Sequence, residues 1–330
     1  MRQLRRHLAE VPLSVAAMDR WLHLDTFLGR DLAPMCEFTG DVGQVAVAEN
    51  DADLAALTAR EAELRRLGWT HEELLDRAEL RRVAPALASH CVGGLISRRD
   101  GYANPYRTSQ AFRIKAQRDG VRFLEGTRVL GLVQSGETWR AETSAGAFES
   151  DVVVNCGGAW AWQIAEMVGE VVPRGHFAAS MMVSARVPKF LDPVVLGTGR
   201  KLSFKQADNG TVVIGGGILG IPDLEAETAE PVAERLVESA RTVYELFPIM
   251  RTATIVRCWA GLEALMPDQI PVIGPSRAAT SLWHAFGFSG HGFQLSPIVG
   301  SLLADLIVEG KSPLPLEPFR ADRFNEGAEA

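Results

Sequence analysis

The chain has 330 residues, 47% of them hydrophobic, enough to supply the core of one large domain or two. A net charge of -7 and a pI near 5.6 exclude a general nucleic-acid binder, because the one basic cluster is the short RQLRR run at residues 2–6. Cys36, Cys91, Cys156 and Cys258 form no C-x-x-C pair, which gives no metal signature, suits a reduced compartment and predicts burial as small apolar side chains.

From the N-terminus, MRQLRRHLAEVPLSVAAMDRWL is interrupted by Glu10, Pro12 and Asp19 and does not read as a leader. No run reaches the ~18 apolar residues of a membrane span, so the expected location is the cytoplasm. A strand over 44–48 precedes helical periodicity over 52–67, carried by Leu54, Leu57, Leu64 and Leu67. A strand at 94–97, a helix over 107–118, strands VRFLEG and TRVLGLVQ, and another at 139–143 follow. DVVVN, residues 151–155, predicts a strand buried on both faces in a parallel sheet. It feeds a glycine turn and a helix from about Ala159 that Gly169 stops. Residues 171–257 are mostly strand, with one helix over 231–246. The last unit is the strand SLWHAFGF, a glycine turn and a helix over 294–309. Crossover helices at both ends with a meander between them predict an α/β domain interrupted by an antiparallel α+β domain. Residues 326–330 read as a frayed tail.

TVVIGGGILGIPD, residues 211–223, has the G-x-G-x-x-G spacing of a dinucleotide turn. Its neighbours argue against that use. Asn209-Gly210 predicts a two-residue hairpin before it, and Pro222 falls where the phosphate-binding helix would have to start. Two other junctions are better built for a phosphate or flavin. Gly157 and Gly158 follow DVVVN and lead into Ala159 and Trp160. Gly287, Phe288, Ser289, Gly290, His291, Gly292 and Phe293 precede the helix that begins at about Gln294. Ser289 and His291 do not make a nucleophile elbow, because histidine stands where G-x-S-x-G needs glycine. His291 reads either as a loop histidine satisfied by backbone or as a cavity residue. In RCWAGLEALMPDQIPVIG, Trp259 and Glu263 lie among apolar residues, where a carboxylate must be paired, with Arg257 the structural alternative, or shifted in pKa. Pro267-Asp268 reads as a turn back to the α/β domain.

The order RRDGYANPYR, VVVNCGGAWA, RCWAGLEALMPDQIPVIG, HAFGFSGHGFQLSPIVG resembles the FAD-dependent D-amino-acid-oxidase-like family, which includes glycine and sarcosine oxidases. It looks most like the flavoprotein subunits of opine, hydroxyproline or cyanide-forming glycine dehydrogenases. The resemblance implies an FAD-binding, Rossmann-like domain over 1–34, 100–168 and 271–330, interrupted by a substrate domain over 35–99 and 169–270. It implies oxidation of a C-N bond of an amino acid, opine or secondary amine by hydride transfer to flavin, often within hetero-oligomers that carry electron-transfer subunits. It places noncovalent FAD near Val129, Gly157, Gly158, Ala159, Trp160 and Gly261, and along Gly287 to Gln294. It sets substrate near Tyr102, Trp259 and Glu263, with His291 and Glu263 as the catalytic candidates. The register of the covalent flavin cysteine falls near Gly261, and that of the carboxylate-binding arginine falls on Glu263. The reversed charge implies a cationic group on the substrate or an altered pose. The family's opening G-x-G-x-x-G unit has no counterpart here, so the expected Rossmann-like domain is incomplete at its N-terminus. Its absence would expose sheet edges and apolar surface. The alternative is a noncatalytic subunit that does not retain FAD.

Overall fold

A computed structural model describes residues 1–324; the expected frayed tail at 326–330 lies outside the described residues. In chain order, α1 (Val11–Leu22) and α2 (Asp25–Leu28) precede β1 (Gln44–Ala48), α3 (Asp51–Arg66), β2 (Glu73–Leu75), α4 (Arg77–Val83), β3 (Gly93–Ser97) and α5 (Pro105–Arg118). Then come β4 (Val129–Ser135), β5 (Thr138–Thr143), β6 (Gly146–Ser150), β7 (Val153–Asn155) and α6 (Ala161–Glu166). The middle holds β8 (His176–Ser184), β9 (Val194–Gly197), β10 (Ser203–Gln206), β11 (Val212–Leu219), β12 (Ile221–Asp223), β13 (Thr228–Glu230) and α7 (Ala233–Leu246). The chain closes with β14 (Ile255–Ala264), β15 (Val272–Pro275), β16 (Leu282–Phe286) and α8 (Gly292–Glu309).

These elements form two compact units. The first comprises Met1–Arg6, Cys36–Asn104 and Phe177–Leu262, and the second His7–Met35, Pro105–His176 and Glu263 onward. Met1–Arg6 thus packs in the first unit rather than with the helix that follows it. Asp100, fully buried, accepts the backbone N–H groups of Gln3 and Leu4 at 2.9 and 3.0 Å, which ties the segment there.

The first unit is built on an eight-stranded sheet in the order β14-β8-β11-β10-β9-β1-β3-β2. β1 runs parallel to β9 and antiparallel to β3, so the sheet is mixed, not purely antiparallel. All five β1 residues are buried, which is why QVAVA lacks a polar face. Phe204 and Phe247 stack 4.3 Å apart in the core beside Ile214, Ile218 and Leu246. Asn50 caps α3 by accepting the Asp53 N–H at 2.9 Å, and Asp76 with Glu79 forms a reciprocal capping box on α4. Asp76→Ala is expected to cost about 1 kcal/mol in urea unfolding, whereas Asp76→Ser should cost little. The β10–β11 hairpin differs from the expected two-residue turn. Ala207 N–H bonds Thr211 O and Gly210 takes a φ of 88°, so the loop is longer, and Asn209 Oδ1 serves Thr211 instead of entering the left-handed region.

The second unit holds the sheets β15-β16-β7 and β4-β5-β6. β7 is parallel to β16, with Val153 opposite Leu282 and Asn155 opposite His284. β7 is an edge among the described residues and Val154 is 40% exposed, so DVVVN is shorter and less buried than its β-branched run predicts. VRFLEG is not a strand. Its apolar Val121, Phe123 and Leu124 stand exposed because no neighbouring strand pairs with them. After Cys156 the chain makes a 3-10 turn over Gly158–Trp160 before α6, which ends short of Gly169. Cys156 and Cys258 are exposed, contrary to expectation, while Cys36 and Cys91 are buried.

Helix α8 has 18 residues and a mean hydropathy of 1.3, long and apolar enough by those measures to cross a membrane. Its Leu295, Ile298, Val299, Leu302 and Leu303 instead pack with Leu13, Ala17, Ile273 and Phe319 in a core of this unit. Pro297 lies inside it and cannot donate to Phe293 O; the Ser296 hydroxyl donates there at 3.1 Å.

Candidate functional site

Because β7 and β16 are parallel neighbours, the turns that follow them leave from the same rim of their sheet. The carboxyl ends of parallel strands are where α/β sheets receive ligands. Both glycine junctions singled out in the sequence are therefore brought together.

At the β16 junction, Gly287 and Gly290 have φ of 71° and 84°, and Ser289, without glycine's freedom, has 50°. A Cβ on Gly287 would lie 2.6 Å from Met266, so both its conformation and its space require glycine. Gly287→Ala is expected to destabilise the unit by about 1–3 kcal/mol, seen as a lower urea midpoint. Ser289 Oγ accepts Met266 N–H at 3.1 Å and donates to Gly287 O at 3.2 Å. The hydroxyl pins the turn and does not bond His291, in keeping with the missing nucleophile elbow.

His291 caps α8 through its backbone position without a side-chain cap, leaving the first-turn N–H groups of Gly292, Phe293 and Gln294 at the positive end of an 18-residue helix. Its Nδ1 lies 2.9 Å from Oε2 of Glu10, a carboxylate with no exposed surface. The ring is oriented by a residue 281 positions away. Glu10 was missed from sequence because nothing local marks it. The side chains of Phe293 and Gln294 face α1. Phe293 meets Trp21 edge-on at 5.4 Å and Gln294 donates to Ser14 O at 2.9 Å, while Trp21 donates to Gln294 O.

Glu263 shares this region. Burial pushes its carboxyl above its ordinary value, partly opposed by the Gly290 N–H, and among the described residues it has no ion-pair partner. The alternative of a structural salt bridge with Arg257 is not realised; Arg257 lies 5.8 Å from the Trp259 ring centroid.

At the β7 junction, Gly157 N–H donates to Asn155 Oδ1 at 3.0 Å, and a Cβ on Gly157 would meet Ala161 Cα at 3.1 Å. Gly158 has a φ of 56° with open space where a Cβ would stand. Ala159 is buried and Trp160 half-buried. Behind the turn lies a network that sequence spacing did not reveal. Asn155 Nδ2 donates to Ala161 O and faces His284 Nδ1 at 3.3 Å; His284 Nε2 meets Glu170 Oε2 at 2.9 Å. Glu170 also accepts the Ser276 hydroxyl and the Arg277 N–H. Val129, at the start of β4, packs against the cluster of Leu132, Trp139 and Leu282.

Three predicted residues belong to the first unit. Tyr102 donates to Asp208 Oδ1 at 3.3 Å with Lys205 Nζ 4.5 Å from its ring centroid, and burial followed by the Asp208 charge raises its pKa. Trp259 is 36% exposed on β14, and Gly261 on the same strand is exposed with open space at its Cβ position. Lys205, not foreseen from sequence, has its pKa lowered by burial. Among the described residues no three or more His, Cys, Asp or Glu side chains are grouped so as to hold a metal ion.

Residues 1–306 match the protein family described as FAD dependent oxidoreductase, abbreviated DAO. The chain belongs to that family. The hydrogen cyanide synthase subunit HcnC of Pseudomonas aeruginosa is 30% identical over 253 residues, 76% of this chain and 59% of HcnC. Human mitochondrial dimethylglycine dehydrogenase is 25% identical over 288 residues, 80% of this chain and 33% of that protein. The structure of L-proline dehydrogenase from P. horikoshii superposes with a TM-score of 0.89 at 26% identity, covering 99% of this chain and 86% of that one. The chain thus spans about three-fifths of the length of the HcnC relatives it matches, 59% in each. FAD is the cofactor of the DAO family. The two glycine turns and the N-terminus of α8, which has no side-chain cap, fit the flavin ring end of that cofactor: small, backbone-lined and at the positive end of a helix. No strand, glycine turn and helix of the pyrophosphate type occurs among the described residues, since the one stretch with that spacing runs into the β12–β13 hairpin.

Proposed function

We propose that this chain is the flavoprotein part of an enzyme that oxidises the C-N bond of an amino acid, opine or secondary amine, handing the electrons to a partner subunit or another acceptor. The juxtaposed turns after β7 and β16, backed by the N-terminus of α8, carry this reading. In it the second unit is the flavin domain and the first the substrate domain. FAD, held noncovalently, supplies the hydride acceptor when bound. The chain's own residues bind and orient: the N–H groups of Gly292 to Gln294 face developing negative charge, and the Asn155-held turn admits the ligand backbone-close. Glu10 orients the His291 ring, which takes or gives a proton. Glu263 receives the cationic group of the substrate, with Tyr102 and Trp259 as further substrate contacts. The relatives, amine and amino-acid dehydrogenases and a synthase subunit, support both the substrate class and a hetero-oligomeric setting.

A second reading is a noncatalytic subunit that does not retain FAD. The purified chain is mixed with FAD, freed of excess, and its visible spectrum recorded before and after anaerobic addition of N-methyl and cationic amino acids. Retained flavin bands that bleach with substrate are the expected result. A colourless protein overturns the first reading in favour of the second.

A further inference from the structure

The glycine-rich stretch after Thr211 is not a dinucleotide turn, yet its glycines are structurally demanding. Between Ile214, opposite Met182, and Ile218, opposite Ser180, β11 accommodates four steps against two on β8, a bulge formed by Gly215, Gly216 and Gly217. Gly216 and Gly217 have φ of 104° and 89°. A Cβ on Gly216 would overlap the backbone between Leu202 and Ser203. Bulges of this kind re-aim a strand and gather near functional sites. Here the bulged strand, the 199–201 loop and helix α7 surround a cavity of about 450 Å³ within the first unit. That volume lies in the range of small-molecule sites.

The lining has a defined chemistry. Lys201 and Arg235 contribute two positive charges, and neither forms an ion pair among the described residues. Arg235 is anchored through Nη1, which donates to Leu219 O at 2.9 Å and to Gly220 O at 3.5 Å, and this leaves the Nε and Nη2 donors for a ligand. Arg200, also on the wall, is neutralised by Glu49 and Glu245 and so braces the loop. Glu238 is the one acid on the wall. Ser239, 4% exposed, keeps a buried hydroxyl without a hydrogen-bond partner, an unmet polar group in a wall that otherwise offers Ile218 and Leu219.

We infer that this cavity is a second small-molecule site, which takes an organic anion, a carboxylate or phosphate monoester on a small apolar body, through Lys201, Arg235 and Ser239. The anionic group meets the two cations and the body lies on Ile218 and Leu219. The inference does not depend on the flavin reading, and its test needs no flavin. Phenyl phosphate, benzoate and inorganic phosphate are titrated into the full chain by calorimetry. Phenyl phosphate or benzoate should bind more tightly than inorganic phosphate, and whichever is tighter identifies the anionic group. Lys201→Ala, at an exposed position, should weaken binding by about tenfold or more, and Ser239→Ala by several-fold. Absence of heat from all three probes up to about 10 mM overturns the site. So does wild-type affinity in both Lys201→Ala and Arg235→Gln, or equal affinity for inorganic and phenyl phosphate.

Discussion

Glu170→Ala is expected to lower the stability of the second unit by about 3–5 kcal/mol, the cost of breaking a buried pair and orphaning its donors. Glu170 is 7% exposed and His284 fully buried, and the carboxylate is the shared acceptor for His284, Ser276 and the Arg277 N–H. Removing it leaves all three unmet and frees the ring that steadies Asn155, so the Gly157 turn should loosen as well. The pH dependence has a defined sign. Burial by itself would raise the Glu170 carboxyl, but the His284, Arg277 and Ser276 hydrogen bonds together hold it below the ordinary 4.5. Its contribution is therefore complete above about pH 4.5 and is lost as the pH falls through the lower folded-state value. Urea midpoints of the wild type and of Glu170→Gln, followed from neutral into acid, check this. Parallel acid limbs for the two proteins would refute the assignment.

Glu263→Gln is expected to leave flavin content unchanged while lowering kcat/KM for a substrate carrying an extra cationic group by about 10²-fold relative to a neutral analogue. Glutamine keeps an oxygen for the Gly290 N–H, so the turn survives and only the charge goes. Because burial raises the Glu263 carboxyl above 4.5, the wild type's preference for the cationic substrate should grow as pH rises through that elevated value, and the variant's should not. Steady-state kinetics with the two substrates across the acid range decide it. An equal loss for both would show that Glu263 does not sense substrate charge.

Most of the architecture was legible because its signals are local. Leu54 to Leu67 carry helical spacing, QVAVA and SLWHAF read as strands, and Gly287, Gly290 and Gly292 announce a turn into α8. Errors arose where tertiary partners decide. VRFLEG reads as a strand but has no neighbour to pair with, and DVVVN is β-branched yet lies at a sheet edge among the described residues. The site divided along the same line. Glycine junctions could be read from spacing, whereas Glu10, 281 positions from His291, and Glu170, 114 from His284, become partners only through folding. Lys205 was hidden for a different reason: nothing in SFKQADNG distinguishes a lysine stacked on Tyr102 from a solvated one.

The outer side of β7 acts as a ruler. Its backbone groups are spaced to receive a strand about 4.8 Å away, and a strand that ran parallel to β7 would have its last residue set by the ladder. Whatever followed that residue would be delivered to the rim already occupied by Gly157 and Gly287. A segment docking there need carry no recognition chemistry of its own to find the two glycine turns; the register would place it.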